Sequence, residues 1–117
     1  MKGPLALYAD YFKANGVDAV VFPTTPVPAR PINSGGDTGK DTVELNGAQV
    51  PTFPTYIRNT DPGSNAGIPG LSLPAGLTKS GLPVGLERDG PLGSDQRLLA
   101  LGMTIETELG VLPAPNI

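Results

Sequence analysis

Apolar side chains recur at Leu5, Tyr8, Ala9 and Phe12 within "PLALYADYFKANG". That three-and-four spacing predicts a helix with one apolar face. Asn15-Gly16 supplies its stop, since glycine accepts the left-handed conformation just past a helix end. The period then changes. Ala19 to Phe22 is a short apolar run, which predicts a strand buried on both faces. Pro23 closes it, because proline cannot donate to a ladder. Prolines at 23, 26, 28 and 31 then hold the chain extended. In "VELNGAQV" the pair Asn46-Gly47 sits between two short runs, the signature of a type I′ hairpin.

"PTFPTYIRNTDPGSNAG" carries fewer signals. Thr60 or Asp61 is placed to cap a short helix with Pro62 in its first turn. "LSLPAGLT" and "PVGLER" predict two strands joined through "KSG" as an antiparallel hairpin, with Leu71 and Leu73 on one face and Ser72 on the other. In "SDQRLLALGMTIETELG", Ser94 is the candidate cap, and Asp95 suits the positive first turn. Leu98, Leu101, Ile105 and Leu109 make the stripe, and Gly110 closes the helix. The order of helix, strand, hairpin, strand pair and helix predicts an α/β fold with a mixed β-sheet flanked by helices. Val20, Val21, Leu71, Leu73, Leu98 and Ile105 are the expected core. No internal repeat is visible.

Composition narrows the chemistry. Glycine (16) and proline (14) make up about a quarter of the 117 residues, a level associated with low complexity. Only 16% of residues are charged, against 38% hydrophobic, and disordered chains show the reverse balance. The reading is a folded, turn-rich chain. With 8 basic and 11 acidic residues and no basic cluster, the chain has neither a nucleic-acid footprint nor affinity for an anionic membrane. No apolar run is long enough to span a bilayer, and no apolar segment behind a basic start reads as a secretory leader. Cysteine and histidine are both absent. Disulfides and thiolate metal sites are therefore excluded, and no Ser-His-Asp triad can be assembled from this chain. Freedom from cysteine fits the cytosol. No cofactor and no metal is expected.

Three stretches imitate catalytic motifs. "SGGDTGKD" looks like a phosphate loop, but the first glycine of that pattern falls on Ser34, and Asp41 stands where the magnesium-binding hydroxyl belongs. A mobile glycine loop fits better. Ser64 lies among glycines, yet Gly63 directly precedes it and Gly67 is three residues on, which is not the Gly-x-Ser-x-Gly elbow. Its base would have to be a lysine, and Lys2, Lys13, Lys40 and Lys79 all sit in polar contexts. Glu87 and Asp89 share one strand face and could form an acid-base pair; carboxylates at a strand end are more often solvated. Glu106 and Glu108 read as the wet side of the last helix.

The segments "DAVVFPTTPVPA", "NAGIPGLSLPAGLTKSGLPVGLE" and "GSDQRLLALGMTIE" together resemble the C-terminal portion of the amidase signature family of serine hydrolases, in matching order from about Leu5 to Leu109. "YADYFKANGVDAVVFPTTP" with "VGLERDGP" is most similar to its branch of small aryl-acetamide hydrolases, which includes mandelamide and indoleacetamide hydrolases. The amidase subunit of the transamidosome usually has Gln where Glu87 stands. The resemblance implies a Ser-cisSer-Lys triad, which needs no histidine. The lysine and the glycine-serine-rich segment bearing both serines belong to the N-terminal part of that fold, and neither occurs here, so no catalytic residue is carried over.

What the resemblance implies is a C-terminal segment, residues 1–117, of an amidase domain that is incomplete without its N-terminal catalytic part. The parent would release ammonia from a small amide, and a homodimeric parent is compatible with this reading. Thr60, Asp61 and Ser64 would line the acyl side of the substrate cleft. Thr25 and Pro26 lie just past a strand end, where α/β sheets commonly border their sites. The competing expectation is a non-catalytic module that acts by docking to a partner chain.

Overall fold

The computed structural model describes residues 1–32 and 41–115. The phosphate-loop look-alike therefore falls, for the most part, outside the described residues. Helix α1 spans Pro4–Asn15, with proline in its first turn and Gly16 at φ 60° closing it through an N–H bond to the Phe12 carbonyl. Its buried face is narrower than the periodicity predicts. Phe12 is buried and Tyr8 half-buried, whereas Leu5 and Ala9 remain exposed. Phe12 packs with Ala66 and Ile68, and Tyr8 and Val20 flank this small core.

Strand β1 (Val20–Pro23) pairs antiparallel with β5 (Pro83–Asp89), which pairs antiparallel with β4 (Gly70–Leu77), giving the order β1-β5-β4. The expected α/β architecture is present, and every strand pairing among the described residues is antiparallel. The expectation that β1 is buried on both faces is corrected. Among the described residues β1 is an edge strand, and Val21 is 55% exposed. The β4–β5 hairpin turns through Thr78–Leu82, with Gly81 at φ 83°. A second sheet is the hairpin of β2 (Thr42–Leu45) and β3 (Ala48–Pro51). Asn46 at φ 52° and Gly47 at φ 82° give it the positive-φ pair of a type I′ turn.

Two short helices link the sheets. α2 (Thr52–Ile57) is not anticipated by the sequence reading; α3 (Asp61–Ala66) is, with Pro62 in its first turn. Thr60 stands at the N-cap of α3, but its hydroxyl donates to the Ile57 carbonyl instead of accepting from α3. The long helix α4 (Asp95–Leu109) packs on β4 through Leu98 and Gly102. Ser94 is its N-cap residue by backbone only; its buried hydroxyl has no partner among the described residues. Of the expected core, Leu98 is buried, and Val20, Leu71, Leu73 and Ile105 are half-buried.

The molecule is a plate of 43 × 40 × 23 Å with a radius of gyration of 16.4 Å, against about 13 Å for a compact chain of this length. It exposes 8268 Å², whereas a self-contained monomer of its mass exposes about 6,000 Å². The excess is about 2,300 Å², the scale of one side of a large obligate interface. Leu7, Tyr11, Val21, Leu99 and Met103 are among the exposed apolar side chains.

Candidate functional site

The register of the three-stranded sheet decides which polar side chains meet. Phe22, Glu87 and Ser72 lie across from one another, as do Val20, Asp89 and Gly70. Directly opposed residues share a face, so Glu87, Asp89 and Ser72 look toward the side occupied by α1 and α3. Thr24, one residue past β1, joins this face and is anchored by its N–H to the Gly85 carbonyl at 3.0 Å. Its Oγ1 lies 2.5 Å from the Ser72 Oγ, and Thr24 acts to lower the pKa of the neighbouring Glu87 carboxyl. A hydroxyl pair thus lies beside the Glu87 carboxyl on this face of the sheet. Gly85 leaves room for it: a Cβ there would stand 2.6 Å from Thr24 Oγ1 and 2.7 Å from Ser72 Oγ.

The carboxyl of Asp89, a residue only 3% exposed, is wedged between two glycines. A Cβ at Gly63 would stand 2.3 Å from its Oδ2, and one at Gly70 would stand 2.8 Å from its Oδ1. Burial pushes the Asp89 carboxyl above the usual carboxylate range. Burial also raises Glu87, with the Asp89 charge adding to the shift and the Thr24 side chain opposing it. Tyr8, on α1, is raised by burial and then by the same Asp89 charge. A carboxylate is far too weak a base to ionise an alcohol, and this cluster includes neither lysine nor imidazole. The arrangement orders the Ser72 and Thr24 hydroxyls without making either a nucleophile.

Thr25 and Pro26 line a cavity of about 250 Å³ together with Pro23, Val27, Val84 and Gly85. The loop that forms it is pinned. The Thr25 hydroxyl donates to the Val27 carbonyl, the Asn59 amide to the Pro23 carbonyl, and the Tyr56 hydroxyl to the Pro28 carbonyl. Thr60, Asp61 and Ser64 belong to α3 and its N-terminus and are not among the cavity's lining residues. Ser64 and Asp61 are exposed, and Thr60 is half-buried. Pro62 and Asn65 of α3 instead face a wider apolar hollow of about 600 Å³ with Leu7, Tyr8 and Tyr11 of α1. The sequence-derived candidates therefore fall into two groups, one in the proline loop and one on α3.

Sequence reasoning did pair Glu87 with Asp89 on one face but missed Thr24 and Ser72. Those two are 48 residues apart, and only the strand order brings them together. Among the described residues, no group of three or more His, Cys, Asp and Glu could hold a metal ion, and no helix is long and apolar enough to cross a membrane.

A family model described as Amidase matches residues 6–99. The chain is 52% identical over 106 residues, 90% of its length, to an indoleacetamide hydrolase of Rhizobium radiobacter, of which it covers 21%. It is 45% identical, again over 106 residues, to a mandelamide hydrolase of Pseudomonas putida, covering 19% of that protein. A crystal structure of an amidase superposes on 92% of the chain with a TM-score of 0.74 and 38% identity, and the chain covers 23% of it. The chain thus spans about a fifth of the length of the curated relatives it matches.

Proposed function

Because the chain belongs to the amidase family, we propose that it is the C-terminal part of a carboxamide hydrolase acting on a small aryl-acetamide-like substrate. In this reading a serine oxygen supplied by the preceding part of the protein attacks the amide carbonyl. Ammonia leaves with the proton, and water then cleaves the acyl ester to give the acid. This segment contributes core strands and a wall of the pocket. Thr25 and Pro26 border the substrate through the proline-lined cavity, while Thr60, Asp61 and Ser64 lie on the acyl side. The reading carries with it a cytosolic protein, compatible with a homodimer.

The observation that carries it is the 52% identity to an indoleacetamide hydrolase across 90% of the chain. The excess exposed surface supports an incomplete unit. That excess also suits a second reading, a docking module without catalysis, and activity separates the two.

The test is ammonia release by the longer protein carrying this segment, with kcat and KM measured for indoleacetamide and mandelamide. Turnover of either supports the amidase reading; absence of turnover on all small amides favours the docking module. A lost pocket contact that is equal in ground and transition states raises KM and spares kcat, and one polar contact is worth about 1–3 kcal/mol. Ser64→Ala should therefore shift KM for one amide more than the other. Loss of kcat for both, with the fold intact, would place Ser64 in the chemistry instead.

A further inference from the structure

Arg88 is fully buried, at 0% exposure, in the middle strand of the sheet. Strand alternation turns it toward α4, while Glu87 and Asp89 point to the opposite face. Its Nε, Nη1 and Nη2 have no hydrogen-bond partner among the described residues. Nη1 lies 3.7 Å from where a Cβ on Gly102 would stand, so the guanidinium is pressed beneath the α4 backbone. Arginine cannot shed its charge, and it brings five donors into this dry space. A buried charge without a partner is strongly destabilising.

Arg88 itself is enclosed, but its neighbour across the sheet is not. Val21 lies directly across from it on β1 and is largely uncovered. β1 has β5 as its sole strand neighbour among the described residues, so its other edge is unpaired. A strand added at that edge would run roughly 10 Å from β5, a span that arginine and glutamate side chains cover together once the guanidinium turns from its place beside Gly102 and Leu71 toward β1. The planar guanidinium fork matches a carboxylate, which can accept two parallel bonds. The chain spans only about a fifth of its relatives' length, so the material to supply such a segment exists in them.

We propose that Arg88 receives a carboxylate from the portion of the longer protein that precedes this chain, on a segment that adds to the free edge of β1. This rests on the reading of the chain as part of a longer amidase. It fixes the partner chemistry: an Asp or Glu side chain on the α4 face of the completed sheet.

The test uses the complete protein. Urea midpoints are measured for Arg88→Met, Arg88→Lys and each Asp→Asn or Glu→Gln change in the preceding portion, alone and combined. Arg88→Met should lower the midpoint, because it strands a buried carboxylate, and Arg88→Lys should recover only part of the loss. One acidic position should couple: its amide variant costs stability in the Arg88 background and little or nothing beside Arg88→Met. If Arg88→Met yields no soluble protein, a soluble Arg88→Glu variant obtained by exchanging that one acid for arginine establishes the same pair. A midpoint that is unchanged or raised by Arg88→Met overturns the proposal, as does a loss that couples to no acid outside this chain. Ammonia release by the unmutated protein is scored separately. An active amidase with an uncoupled Arg88 refutes only this inference, whereas a coupled Arg88 in a protein inactive on amides refutes only the functional reading.

Discussion

Replacing Gly63 by alanine tests the packing that holds α3 on the sheet. The new methyl would meet Asp89 Oδ2 at 2.3 Å and Cγ at 3.1 Å. An ordinary contact requires the carboxyl to retreat by about 1 Å. It cannot retreat freely, because its other oxygen already lies 2.8 Å from the position a Cβ on Gly70 would take. Overpacking of this kind costs about 1–3 kcal/mol. Alanine returns up to about 1 kcal/mol through its better helix propensity. The net loss is about 1–2 kcal/mol, which at an ordinary denaturant slope lowers the urea midpoint by roughly 0.5–1 M. Far-ultraviolet circular dichroism at fixed protein concentration reads the transition. Shortening Asp89 to alanine removes the obstacle, so Gly63→Ala should become neutral or stabilising in an Asp89→Ala background. The clash is refuted if Gly63→Ala costs the same in both backgrounds, or if the single variant raises the midpoint.

Asp89 and Glu87 both have carboxyls raised by burial. The folded state therefore holds protons that the unfolded chain releases, and stability falls as pH rises from the ordinary carboxylate range, about 4, through the raised values. Asp89→Asn and Glu87→Gln should flatten that slope and stabilise the fold at neutral pH; a steeper slope in either variant would contradict the assignment. Gly85→Ala should cost about 1–3 kcal/mol by displacing the Thr24–Ser72 hydroxyl pair, and thermal unfolding should show only part of that loss relieved by Ser72→Ala, because the closer contact with Thr24 Oγ1 at 2.6 Å remains. Thr60→Ala should cost less than the roughly 1 kcal/mol of a lost helix cap, since its hydroxyl bonds backward to Ile57. A loss of a full cap's size in chemical denaturation would show that α3 depends on that hydroxyl.

Much of the local structure was legible in the sequence, because single residues carry its signals. Asn46-Gly47 demands positive φ at both turn positions, and Gly16 closes α1 in the left-handed region. Leu98 marks the buried side of α4, which packs on β4. Pro62 with Asp61 locates α3. What failed was burial. The run Val20-Val21-Phe22 reads as interior, yet whatever would cover Val21 is not among the described residues. Helix α2 was hidden by Pro54 and by two β-branched threonines, Thr52 and Thr55, which are nonetheless its buried residues. The Thr24–Ser72 hydroxyl pair beside Glu87 could not be read from spacing, since it depends on β5 lying between β1 and β4. The charge at Arg88 looks like an ordinary surface residue in "GLERDG"; only the strand alternation and α4 show it to be buried.

The most direct test of the central claim, that the nucleophile lies outside these 117 residues, is ammonia release from an aryl-acetamide by the purified chain. It is assayed alone and after mixing with the separately produced preceding portion of the protein. The expected result is no turnover from the chain alone and turnover that grows with added partner to a one-to-one ratio. Turnover by the chain alone that survives purification and disappears in Ser64→Ala would contradict it.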